Sequence, residues 1–108
     1  MLYHSCMQAF AALADPTRRR IVELLAKGER SAGELGRRFA ISQPAVSQHL
    51  RTLRDAGLVR VRQDAQRRIY SLDARGLAEI DAWLSRYRTF WTTRLNALER
   101  ALNREDPS

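Results

Sequence analysis

Apolar and polar positions divide the chain into six segments, and the spacing within each predicts an element. CMQAFAAL, from Cys6 to Leu13, suits a short helix stopped by Asp15-Pro16. Asp15 can cap a second helix with Pro16 in its first turn, Ile21, Val22, Leu24 and Leu25 on its apolar side and Gly28 as its stop. Ser31-Ala32-Gly33-Glu34 has the form of a capping box and opens a third, short helix that buries Leu35 and Phe39. A fourth helix, opened by Ser42-Gln43-Pro44 and closed by Gly57, follows a connection of three or four residues. Two helices joined this tightly form a helix-turn-helix pattern.

Residues 58–72 change to period two. Leu58-Val59-Arg60-Val61-Arg62 alternates, and Arg68-Ile69-Tyr70-Ser71-Leu72 can pair with it as a hairpin whose turn contains no glycine. From Asp73 to about Leu102 the pattern is helical again. Leu77, Ile80, Leu84, Tyr87, Trp91, Leu95, Leu98 and Leu102 are spaced close to a heptad seam. The expected architecture is mainly α with a small β-hairpin, in one domain over residues 1–104 with a polar tail at 105–108.

Charge adds a location to this outline. Residues 1–72 hold 13 Lys/Arg against 6 Asp/Glu, whereas residues 73–108 hold 6 of each, so the formal +7 belongs to the first two-thirds. A basic region of this size seeks a polyanion, and all its cations but Lys27 are arginine, which pairs bidentately with phosphate and guanine. On a helical wheel Leu50 and Leu53 of the fourth helix fall within about 40 degrees of Val46. Gln48, Pro44, Arg51 and Asp55 lie opposite, with Ser47 and Arg54 on one flank and Thr52 on the other. Glutamine can bond adenine twice, arginine can do so with guanine, and serine can serve a base or a phosphate. An apolar back with this polar front suits a helix lying in a major groove; a solvated amphipathic helix has the same pattern. Arg60, Arg62, Arg67 and Arg68 on the hairpin can grip phosphate or enter a minor groove, or can simply keep an exposed strand from aggregating.

Other chemistry finds little support. No apolar run is long enough to cross a membrane and no signal peptide is evident, which predicts a cytosolic, hence cytoplasmic, protein. Cys6 is the sole cysteine, so neither an internal disulfide nor a thiolate-rich metal site is expected. One cysteine and two histidines without a Gly-rich phosphate loop supply no nucleophile, base and orienter together, so no enzyme is expected. Trp83, Tyr87, Phe90 and Trp91 suit a dimer core better than a ligand pocket.

ALADPTRRRIVELL, SAGELGRRFAISQPAVSQHLRTLRDAGLVRVR and RRIYSL, in this order and spacing, resemble the ArsR family of bacterial winged helix-turn-helix repressors across nearly the whole chain. ISQPAVSQHLRTLRDAGLV is the most specific part. The resemblance implies a winged helix-turn-helix, double-stranded DNA as partner, and a homodimer built mainly from the first and last helices, with residues 73–102 as the dimerisation helix. Carried over by position, recognition falls on Ser42, Gln43, Pro44, Ala45, Ser47, Gln48, His49 and Arg51, and wing contacts on Arg62, Gln63, Arg67 and Arg68. The dimer interface takes Phe10, Leu77, Ile80, Leu84, Tyr87, Trp91, Leu95 and Leu98. His49 lies near the buried edge of the wheel, where a phosphate contact and a structural role both remain open.

The sequence departs from the metal-sensing members of that family. SAGELGRRF has no cysteine where family sensors often carry a pair, and the last helix has no histidine beside Glu79 and Asp81. His4, Cys6 and Met7 form a weak N-terminal ligand group, for which a buried or frayed helix is an equal explanation. No cofactor or metal is expected, and a small-molecule effector is left unassigned. Two rivals remain at this stage: a winged helix that binds an acidic protein instead of an operator, and a repressor switched by metal or oxidation through Cys6.

Overall fold

The computed structural model describes residues 2–105, with side chains over 7–104. The His4 and Cys6 side chains and residues 106–108 of the tail lie outside those limits. In chain order the elements are α1 (Leu2–Leu13), α2 (Pro16–Leu25), β1 (Arg30–Ser31), α3 (Ala32–Phe39), α4 (Gln43–Asp55), β2 (Val59–Asp64), β3 (Arg67–Leu72) and α5 (Ala74–Glu105). The helix-turn-helix and wing follow the sequence pattern. The addition is β1, which pairs antiparallel with β3 and makes a three-stranded sheet of order β1-β3-β2.

Local hydrogen bonds start three of the helices. Asp15 Oδ2 accepts from the Arg18 N–H at 3.0 Å, which caps α2 behind Pro16. Ser31 and Glu34 form the reciprocal box: the Glu34 N–H donates to Ser31 Oγ and the Ser31 N–H to Glu34 Oε1, both at 3.2 Å. Ser42 Oγ accepts from the Ala45 N–H at 3.3 Å and begins α4. Between α3 and α4 the chain reverses at Ala40, whose φ of 54° and ψ of 42° are left-handed. A second alanine, Ala65 at φ 56°, occupies the same region in the hairpin turn.

Ile21, Leu35, Val46, Leu50, Leu53 and Leu58 are almost wholly buried, so α2, α3, α4 and the start of the wing share one core. Leu35 is buried as its spacing predicts; Phe39, expected beside it, is only partly so. The turn after α4 joins this core to α5 through backbone alone. Gly57 has φ +74°, and its carbonyl accepts from the Gly76 N–H at 2.9 Å, while the Leu58 carbonyl accepts from the Asp73 N–H at 2.9 Å. A Cβ at Gly76 would collide with the Gly57 carbonyl oxygen, so the contact requires glycine there.

Beyond this junction α5 leaves the body. Leu77 and Ile80 are partly buried against the core, and Phe10 of α1 meets Trp83 edge-on at 5.4 Å. From residue 84 to residue 104 every position is exposed, including Leu84, Tyr87, Trp91, Leu95, Leu98 and Leu102. With 32 residues α5 is about 48 Å long. It stretches the molecule to 65 Å and raises the radius of gyration to 18.6 Å, against about 13 Å for a compact chain of this length. Among the described residues no helix is long and apolar enough to cross a membrane.

Candidate nucleic-acid interface

The fourth helix turns one face to the core and the other outward. Val46, Leu50 and Leu53 have relative exposures of 0%, 1% and 0%, while Gln43, Pro44, Ser47, Gln48, Arg51, Arg54 and Asp55 are exposed. Ala45, His49 and Thr52 lie between. The exposed face is thus the polar one drawn by the wheel. Its members are not equally free, however. The Gln43 amide lies over Gly36 of α3, in the space a Cβ there would fill, so Gln43 packs against the turn. His49 sits towards α2, with Nδ1 3.5 Å from Arg18 Nη1, and Arg18 is itself anchored by donating from Nε to the Ala12 carbonyl at 2.6 Å. The Thr52 hydroxyl donates back to the Gln48 carbonyl at 3.1 Å, and the Gln48 side chain has no hydrogen-bond partner among the described residues.

The register of the hairpin sorts its cations onto two faces, because paired residues of neighbouring strands share a side. Val61 pairs with Tyr70 and Gln63 with Arg68 on the side that carries the buried Tyr70. Arg60 with Ser71, Arg62 with Ile69 and Asp64 with Arg67 share the other side. Arg68 and Tyr70 thereby line one recess with Ser47, Arg51 and Arg54 of α4. Ser47, Arg51 and Arg54 form an i, i+4, i+7 row along the helix. Among the described residues, none of Arg51, Arg54 or Arg68 has an ion-pair partner. Three like charges gathered without a carboxylate repel one another and attract an anion, above all one with closely spaced phosphates. Arg54 is not among the recognition residues expected by position; its place in the helical row is the sequence signal for it.

Arg62 and Arg67 are placed differently. Arg62 donates from Nε and Nη2 to the two carboxylate oxygens of Glu29, both at 3.1 Å, and Arg67 Nη2 donates to Glu34 Oε1 at 3.1 Å. Hydrogen bonding to Arg62 holds the Glu29 carboxyl below its usual range, and the same bond raises Arg62. Glu34 is also lowered, first by the Ser31 N–H and then by the Ser31 hydroxyl. Of the four expected wing residues, the structure brings Gln63 and Arg68 to the side facing α4 and pairs Arg62 and Arg67 on the opposite side. Lys27, Arg30, Arg37 and Arg38 line, with Glu34, a separate open hollow between the end of α2, β1 and α3. No group of three or more His, Cys, Asp or Glu side chains suited to a metal occurs among the described residues.

The same outline recurs in known proteins. Residues 15–61 match the family described as bacterial regulatory protein, arsR family. The HTH-type transcriptional regulator Rv2034 of Mycobacterium tuberculosis is 47% identical over 103 residues, covering 95% of this chain and 94% of that protein. The transcriptional repressor SdpR of Bacillus subtilis is 37% identical over 75 residues, covering 69% of this chain and 83% of that protein. A solved structure of an ArsR-like transcriptional regulator from Rhodococcus sp. RHA1 superposes with a TM-score of 0.73 at 30% identity, over 92% of this chain and 93% of that one.

Proposed function

Since the chain belongs to the arsR family and is a DNA-binding transcriptional regulator, we propose that it acts as a homodimeric repressor of a near-palindromic operator. The observation that carries the reading is the recess in which Arg51 and Arg54 of α4 meet Arg68 of the wing, none of the three having an ion-pair partner among the described residues. In this reading α4 enters the major groove, its buried face fixed by Val46, Leu50 and Leu53. Ser47, Gln48 and Arg51 meet base edges, while Ser42, Pro44 and Ala45 at the start of the helix approach the backbone. Arg54, Arg68 and Gln63 lie along the flanking phosphates. Gln43 and His49 act by holding the turn and the α2 contact.

The dimer rests on the exposed row Leu84, Tyr87, Trp91, Leu95 and Leu98, with Phe10 beside its base. A monomer rarely leaves so continuous an apolar stripe in water. Leu77 and Ile80, also expected at the interface, are engaged with the core of their own protomer. Two reading helices related by a dyad call for half-sites about one helical turn apart, roughly 10 bp, or a multiple of it. Repression by occlusion follows from a dimer covering such a site, and the relative SdpR is described as a repressor.

A gel shift of the protein against the DNA upstream of its own gene, with unrelated duplex as competitor, tests the proposal. Retarded DNA that resists a large excess of competitor at physiological salt is the expected result. Equal displacement by both duplexes would remove the operator from the account.

A further inference from the structure

Glu29 and Glu34 flank β1 and reach across to the two strands of the wing hairpin, β2 and β3. Glu29 takes both ends of the Arg62 fork on β2, and Glu34 takes Arg67 on β3. The Glu34 oxygen that accepts from Arg67 is the same Oε1 that closes the α3 capping box by accepting the Ser31 N–H. The wing is therefore held to the start of α3 by the β1 pairing and by two carboxylates, one on each side of it. Both carboxylates occupy guanidinium groups that would otherwise be offered to phosphate.

We infer that Glu29 and Glu34 are specificity-determining residues, which withhold Arg62 and Arg67 from the DNA backbone and so hold down binding to non-operator sequence. The inference rests on the DNA-binding reading of the wing. Non-specific affinity comes almost wholly from phosphate neutralisation, so two arginines occupied within the protein lower it directly. Operator affinity depends also on base contacts by α4, which the carboxylates do not touch. Arg68 and Arg54 remain available throughout, since among the described residues neither has an ion-pair partner. Exposed ion pairs of this kind each shift an equilibrium by about one and a half- to fivefold. Together they suffice to change the ratio of specific to random binding.

The test compares the full chain with Glu29→Gln/Glu34→Gln. Glutamine keeps the capping hydrogen bond at residue 34 and removes only the charge. Dissociation constants are measured by fluorescence anisotropy on an operator duplex and a random duplex of equal length, over a salt series. Glu23→Gln/Glu99→Gln, on exposed positions outside the wing, carries the same change in net charge. The expected result is random-duplex binding about three- to tenfold tighter, a log-log salt slope steeper by about one to two units, and a smaller gain on operator. Adding Arg62→Gln and Arg67→Gln to the double variant should erase the gain.

A gain no larger than that of the Glu23/Glu99 pair, or one that survives loss of both arginines, overturns the inference. Weaker binding also overturns it, by showing that the carboxylates aim the arginines at phosphate. The single Glu29→Gln variant lies outside every helix and gives the same sign if Glu34→Gln disturbs α3. The wild-type preference for operator is read in the same series: its absence fails the operator reading, whereas its presence with no response to the substitutions fails only the restraint.

Discussion

Gln48 and Arg68 show how differently two exposed polar residues can serve one interface. The Gln48 side chain stands on the outer face of α4 with no hydrogen-bond partner among the described residues, so its amide is free for a base edge. Gln48→Ala should reduce discrimination at one base pair by about 1–3 kcal/mol and leave random binding nearly unchanged. Arg68→Ala should weaken operator and random duplexes alike and flatten the salt slope by about one unit. Competition binding with single-base operator variants separates the two effects, and identical profiles would contradict the division between reading helix and wing. Asp73 sets a different residue-scale expectation. The Arg75 guanidinium, and next the Arg75 N–H, hold the Asp73 carboxyl below its ordinary value at the start of α5. A folded value below the unfolded one contributes stability above the unfolded pKa, about 3.9, and loses it as pH falls through the folded value. Thermal midpoints should therefore decline below about pH 5, and Asp73→Asn, which can still cap the helix, should decline less steeply.

At the scale of elements, the junction between the α4 turn and α5 is the least forgiving part of the fold. Gly76 stands backbone to backbone with Gly57, and both backbone bonds to α5 pass through residues 57 and 58. Gly76→Ala should cost about 1–3 kcal/mol in urea unfolding, because the neighbour that must move is a carbonyl held by its own turn. A midpoint shift within error would mean that α5 can slide off this contact freely. The capping of α2, α3 and α4 was legible in the sequence because Asp15, the Ser31–Glu34 box and Ser42 act over three residues. Strand β1 was not, since two residues have no period and acquire their pairing only when β3 arrives. The left-handed Ala40 and Ala65 carry no glycine to announce them. Without a turn signal the hairpin register stayed open, and a slip of one residue would exchange its faces. The helical row Ser47, Arg51 and Arg54 could thus be read from spacing, but not that Arg68 joins it while Arg62 and Arg67 turn to glutamates.

The whole molecule is a small core with a long helix projecting from it. Its row from Leu84 to Leu102 is exposed among the described residues, and the proposed partner surface is a second copy. Leu95→Glu/Leu98→Glu should sediment as a monomer at concentrations where the wild type is a dimer, and should retain only the weak DNA affinity of a single half-site. A variant that remains dimeric, or a footprint without dyad symmetry, would move the interface elsewhere. The same row also ties gene control to the amount of protein present. If only the paired form grips the operator, the concentration of binding-competent dimer grows as the square of the free chain concentration while pairing is incomplete. Occupancy then rises with a Hill coefficient approaching about two, so a twofold fall in chain concentration relaxes the operator more than proportionately. A projecting helix can in this way supply a threshold response without a bound effector.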